Sequence, residues 1–116
     1  GAATLISSLG MSFSELDRVM IAGGIGNSLD IENSIIIGLL PDIPRDKFSY
    51  IGNSSLIGSY LTLMSEDARK KMECIASQMT YIELSVYPSY MDEFVSACFL
   101  PHTNTDDFPS LSSLLG

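Results

Sequence analysis

Glycines at positions 23, 24 and 26, followed by Asn27, are the residues of this chain with most to say about chemistry. Without side chains they let a ligand or another backbone come close, and they open the positive-φ region. A helix that follows such a loop presents free N–H groups, an arrangement that favours phosphate. A tight strand-to-helix turn with no ligand needs the same residues, and the loop alone supports both readings equally. Three better-defined motifs fail. A dinucleotide fingerprint needs a third glycine where Leu29 stands, and an acidic residue at the end of the next strand where Gly52-Asn53 stands. A Walker-type loop needs Gly-Lys-Ser/Thr, and no lysine lies near either glycine cluster. Gly52-Asn53-Ser54-Ser55-Leu56 misses the G-x-S-x-G of a nucleophile elbow.

Other candidates are weaker. Cys98 and His102 are four apart and could form half of a metal site, but two cysteines and one histidine give at most three such ligands. Core thiols with a surface His102 are the expected arrangement, and a helix-buried thiol is inert as a nucleophile. Asp92-Glu93 and Asp106-Asp107 are adjacent pairs whose side chains diverge, so they read as solvated surface rather than as an acid/base couple. The expectation is no catalytic residue and no metal ligand. The chain has 116 residues, 46% of them hydrophobic, which allows one modest core. A net charge of -8 speaks against nucleic acid, and the basic cluster Arg69-Lys70-Lys71 is flanked by Glu66, Asp67 and Glu73. No apolar run is long enough to span a membrane. Cys74 and Cys98 in helix-like apolar patterns predict reduced thiols in a cytoplasmic protein.

The elements that must hold the loop follow from periodicity. Residues 17–22 are a short apolar run ending in glycine, as a buried parallel strand does. Asp30 caps a helix predicted over 31–39, with Ile31, Ile35, Ile36, Ile37, Leu39 and Leu40 covering most of its circumference. A second strand over 48–51 runs into Gly52-Asn53. A helix follows with Leu56, Ile57, Tyr60, Leu61 and Met64 at helical spacing. Ser65 caps a charged helix whose stripe is Ala68, Met72, Ile75, Ala76 and Met79, read as ordinary core. Alternation of Ile82, Leu84 and Val86 with Tyr81, Glu83 and Ser85 predicts a third strand over 80–86. A last amphipathic helix carries Tyr90, Met91, Phe94, Val95, Cys98 and Phe99, and a loose, Ser-rich tail is expected over 101–116. The order predicts an α/β fold of about three strands with four or five helices. Residues 2–9 read as the end of a helix stopped by Gly10, so 1–116 is expected to be one lobe of a longer protein.

Strand–Gly-Gly-x-Gly-Asn–helix, paired with the second junction Ile51-Gly52-Asn53-Ser54-Ser55-Leu56-Ile57-Gly58-Ser59, resembles the C-terminal lobe of the actin-like ATPase and sugar kinase superfamily, of ribonuclease H-like fold. Val19-Met20-Ile21-Ala22-Gly23-Gly24-Ile25-Gly26-Asn27, Asp30-Ile31-Glu32-Asn33, Ile37-Gly38-Leu39-Leu40-Pro41-Asp42, Tyr81-Ile82-Glu83-Leu84-Ser85 and Met91-Asp92-Glu93-Phe94-Val95 resemble one branch, the reductive activators of corrinoid proteins. The resemblance covers residues 5–108. It implies that Gly23, Gly24, Gly26 and Asn27 bind nucleotide, as the adenosine motif. It implies a parent that uses ATP with Mg²⁺ to reduce an inactive Co(II) corrinoid protein in methyl transfer. The parent would carry a 2Fe-2S cluster near its N-terminus and partner a corrinoid protein or methyltransferase. This chain has no cysteine cluster for iron–sulfur ligation, and it lacks the family's phosphate-binding hairpins, so it is not expected to hydrolyse ATP alone. The apolar helix over 31–40 predicts a homodimer or a docking face. Two alternatives remain: a non-catalytic docking or dimerisation module, and an activator of 2-hydroxyacyl-CoA dehydratase type.

Overall fold

Two short apolar runs ending in glycine form the sheet. In the computed structural model, which describes residues 1–111, β1 (Val19–Ala22) and β2 (Phe48–Gly52) are parallel neighbours. Val19 pairs with Phe48, Met20 with Ser49 and Ile21 with Tyr50; the register then slips, so that Ala22 faces Gly52. Parallel neighbours need a crossover. Here it consists of a 3₁₀ turn (Gly26–Ser28), helix α2 (Ile31–Ile36) and a second 3₁₀ turn (Arg45–Lys47). Lys47 ties the start of β2 to the approach of β1 by donating to the Ser14 and Leu16 carbonyls at 3.0 and 2.5 Å.

The core lies on the α2 side. Ile35, Phe108 and Leu111 are buried together, with Ile31, Ile36, Leu40 and Phe48 packed against them. Burying a side chain such as Ile35 contributes about 2–3 kcal/mol. The tail expected to be loose from residue 101 therefore packs over 102–111, because Phe108 and Leu111 supply the apolar cover that Ile35 needs. Residues 112–116 of that expectation lie outside the described residues. The same packing partly closes the apolar helix face expected to remain uncovered. Ile35 is buried, while Ile37 and Leu39 stay exposed.

Helix α2 is shorter than its pattern predicts. Gly38 takes φ +76 and turns the chain, and a Cβ there would come within 3.0 Å of His102 Cβ. His102 is accordingly buried, not on the surface, with its ring 5.1 Å from that of Phe108. Its Nδ1 accepts from the Asn104 N–H at 3.1 Å.

The predicted third strand is absent. Residues 80–86 are irregular and end in a 3₁₀ turn, Leu84–Val86, so among the described residues the sheet has two strands. Alternation reports which way side chains face, not that a partner edge exists. Local bonds take its place: the Tyr81 and Ser85 hydroxyls both donate to the Glu83 carboxylate.

Around the sheet stand α1 (Ala2–Ser8), α3 (Ser54–Met64), α4 (Glu66–Gln78) and α5 (Tyr90–Ala97), and a further helix begins at Pro109. Ser65 ends α3 and caps α4, its hydroxyl accepting from the Ala68 N–H at 3.2 Å. The apolar stripes of this hairpin are exposed, not core: Leu56, Ile57, Tyr60, Leu61, Met72, Ile75 and Met79 all face outward. Cys74 and Cys98, expected in the core, are exposed free thiols for the same reason, as they ride on α4 and at the end of α5. Lacking cover for the hairpin, the chain is elongated, 55 × 33 × 23 Å.

Candidate functional site

Both strands end in a glycine turn at the same edge of the sheet. Gly23 has φ +97 and Gly52 has φ +66, a region that side-chain-bearing residues rarely adopt. The Gly23 N–H donates to the Gly52 carbonyl at 2.8 Å, one step beyond the Ala22–Gly52 pair, so the two turns are stitched together. This edge, beyond the carboxyl ends of parallel strands, is where open α/β sheets bind ligands.

The loop glycines divide into two kinds. A Cβ built on Gly23, Gly24 or Gly52 would meet nothing within 4 Å. Packing therefore does not require bare positions there; the positive φ of Gly23 and Gly52 does require glycine, Gly24 has neither demand, and all three leave backbone open to an approaching group. Gly26 differs. It is buried, and a Cβ there would lie 3.0 Å from Ile21 Cγ2 and 3.5 Å from the Ile21 carbonyl oxygen. Its smallness lets the 3₁₀ turn fold back onto β1. Asn27 lies in that turn with an exposed side chain.

The helix after the loop does not offer the free N–H groups that its position predicts. α2 has six residues, and the Asp30 carboxylate accepts from the Asn33 N–H at 2.8 Å. A carboxylate already occupies the positive end of that helix, so a phosphate gains nothing there. After Gly52, α3 carries a neutral cap instead: Asn53 Oδ1 accepts from the Leu56 N–H at 3.1 Å.

A separate charged cluster sits against the tail. Arg45 bridges Glu32 and Asp42 at 2.9 and 2.7 Å. Asp42, 3% exposed at its side chain, also accepts from the Ser110 N–H at 2.6 Å and the Ser110 hydroxyl at 2.8 Å. Burial pushes the Asp42 carboxyl up, but the Ser110 and Arg45 bonds together outweigh it and hold the group below the ordinary aspartate range. The Arg45 hydrogen bond holds Glu32 low as well. Every member has partners, so the cluster reads as a clasp and not as a reactive site. A concavity of about 670 Å³ opens beside it between α1, the 38–43 turn and residues 102–108, and none of the glycine-loop residues lines it. Among the described residues no three His, Cys, Asp or Glu side chains converge to hold a metal ion. The two exposed cysteines cannot ligate an iron–sulfur cluster by themselves. No helix among these residues is long and apolar enough to cross a membrane.

Comparison with known proteins agrees with this geometry. Residues 1–112 match the family described as the C-terminal domain of RACo, the ASKHA domain. The corrinoid activation enzyme RamQ of Eubacterium limosum is 33% identical over 95 residues, 82% of this chain and 16% of RamQ. A solved reductive activator for corrinoid, iron-sulfur protein superposes with a TM-score of 0.89 at 51% identity, over 95% of this chain and 18% of that one. The chain thus spans under a fifth of the length of either relative. With nearly its whole length matched, the chain belongs to the family of the RACo C-terminal ASKHA domain.

Proposed function

We propose that this chain is the C-terminal, adenosine-holding lobe of a longer ATP-dependent activator that reduces Co(II) corrinoid proteins. The observation that carries the reading is the pair of stitched glycine turns, bare toward open space at the carboxyl edge of a parallel sheet. The similarity to a reductive activator for corrinoid, iron-sulfur protein and to a corrinoid activation enzyme supports it. Gly23 and Gly24 line the adenosine and α-phosphate side of the cleft, and Asn27 offers a polar contact. Gly26 serves the same loop from beneath, by letting it pack on Ile21. The phosphate-clamping groups, the ligands for Mg²⁺ and the 2Fe-2S cluster belong to other parts of the activator; among the described residues no three His, Cys, Asp or Glu side chains converge to hold a metal. A corrinoid protein is the partner that the reaction requires, in methyl-transfer metabolism in the cytoplasm. The exposed apolar hairpin of α3 and α4 is covered in the activator by the remainder of its chain or by a second subunit.

The test is Gly24→Val in the full-length activator. A branched side chain would stand where nucleotide backbone contact is required, and ATP affinity in calorimetry should fall about tenfold or more. Unchanged affinity would remove the loop from the nucleotide site.

A further inference from the structure

Within the glycine loop the Gly26, Ser28 and Leu29 N–H groups donate to the Gly23, Ile25 and Gly26 carbonyls at 3.2, 3.0 and 3.3 Å, and Gly26 packs on Ile21. The loop's first residue, Gly23, sits in the left-handed region, and a Cβ on Gly23 or Gly24 would touch nothing within 4 Å. Two further ties come from the neighbouring strand, one at each end of the loop. At the entry, the Gly23 N–H donates to the Gly52 carbonyl at 2.8 Å. At the exit, the Tyr50 hydroxyl donates to the Leu29 carbonyl, just after the 3₁₀ turn Gly26–Ser28. Tyr50 and Gly52 lie two residues apart on β2. The slip in register between Ile21 and Ala22 brings Gly52 opposite Ala22, in reach of the next N–H. Gly52 needs φ +66 to leave the strand there, so its carbonyl direction and its lack of a side chain are parts of one device.

We infer that Gly52 and Tyr50 are positioning residues for nucleotide binding: they hold the loop of residues 23–29 in its binding shape through Gly23 and Leu29. This rests on the reading of the loop as the adenosine site. The physical link is a population. When the binding-competent loop is only a fraction of the ensemble, apparent affinity falls by that fraction. Each tether is one hydrogen bond, so losing one lowers the competent fraction by a factor on the order of two to ten.

Gly10 supplies a matched control. It has φ +68, a Cβ there would also meet nothing within 4 Å, and it lies in the connector after α1 rather than on the sheet. Substitution at Gly10 and at Gly52 therefore brings the same backbone strain and the same free space. The experiment measures binding of Mg²⁺·ADP by calorimetry to the full-length activator and its variants, with thermal melting alongside. Tyr50→Phe should weaken ADP about threefold with an unchanged melting temperature. Gly52→Val should weaken ADP about tenfold, whereas Gly10→Val should lose similar stability and leave affinity within about twofold. Gly52→Asn, which tolerates the left-handed region, should restore most of the affinity. If Gly52→Val does not fold, the Tyr50→Phe result decides alone. Wild-type affinity in Tyr50→Phe, or equal affinity losses in Gly52→Val and Gly10→Val, overturns the positioning role while leaving the nucleotide site standing. Absence of ADP and ATP binding by the unaltered activator overturns the site itself, and the positioning role with it.

Discussion

The clasp around Asp42 should hold residues 102–111 on the core, and Asp42→Asn isolates its contribution. Aspartate here accepts three bonds: from Arg45 Nη1 at 2.7 Å, from the Ser110 N–H at 2.6 Å and from the Ser110 hydroxyl at 2.8 Å. Asparagine keeps the shape and one acceptor oxygen, but its other end becomes an NH₂ group facing a donor. In one orientation the amide loses the Ser110 N–H bond, in the other it loses those from Arg45 and the Ser110 hydroxyl; the first costs less, and it leaves a donor opposite a donor. Bonds to a charged group contribute about 1.5–3 kcal/mol, and Arg45 keeps its bridge to Glu32, so the net cost is about 2–3 kcal/mol. That corresponds to about a 30- to 150-fold rise in local opening of residues 102–111. Hydrogen–deuterium exchange in the full-length protein reads this directly. The pH dependence has a definite sign. The folded carboxyl lies below its ordinary value, so its stabilisation is fully present above the unfolded pKa of about 3.9 and is lost as pH falls through the lower folded value. Between pH 5 and 8, opening corrected for intrinsic exchange should be flat, and Asp42→Asn at neutral pH should resemble the wild type in strong acid. Unchanged protection of 102–111 in Asp42→Asn would show that the contacts of Phe108 and Leu111 suffice and that the clasp contributes nothing.

Gly26→Ala should lower stability by about 1 kcal/mol, because its Cβ would stand 3.0 Å from Ile21 Cγ2, while Gly24→Ala should be neutral to within about 0.5 kcal/mol; equal thermal shifts for the two would refute the packing role of Gly26. Cys74 and Cys98 are exposed in this lobe, so both thiols of the purified 116-residue chain should react with a thiol reagent without unfolding, and protection of either one until unfolding would contradict the structure.

What could be read from the sequence was what local chemistry decides. Asp30 and Ser65 cap helices as their types require, and Glu66 pairs with Lys70 one turn on. The two strands ending in glycine are present and parallel, and the family resemblance, carried by motifs along most of the chain, is matched over residues 1–112. Misreadings arose where the answer depends on partners distant in sequence. Residues 80–86 alternate correctly for a strand, but no neighbouring edge receives them. His102 looks like a surface residue in a polar tail, and its burial depends on Gly38, more than sixty positions earlier, leaving room for it. Asp42 is an unremarkable residue between two prolines until Ser110 arrives. In the site, Gly23 and Gly26 look equivalent as letters. The backbone angle of Gly23 and the position of Ile21 beside Gly26 separate a glycine that faces outward from one that packs inward. Tyr50 and Gly52 were missed as loop supports; the signal available was a second strand ending in glycine.

The exposed hairpin and the glycine edge are better treated as one problem than as two. Helix α3 begins at Ser54, two residues after Gly52, and α3 with α4 presents Leu56, Ile57, Tyr60 and Leu61 to the outside. Those side chains have the spacing of a core face, and they contribute their roughly 25 cal/mol per Å² only when something covers them. Whatever covers α3 therefore fixes the direction of the helix that leaves Gly52. Gly52 in turn carries the carbonyl to which the Gly23 N–H is bonded. The path from hairpin to loop is short and covalent apart from one hydrogen bond. A rigid helix passes on a tilt that a flexible linker would absorb. In the proposed activator, packing of the hairpin and the shape of the adenosine loop are thus linked through Gly52.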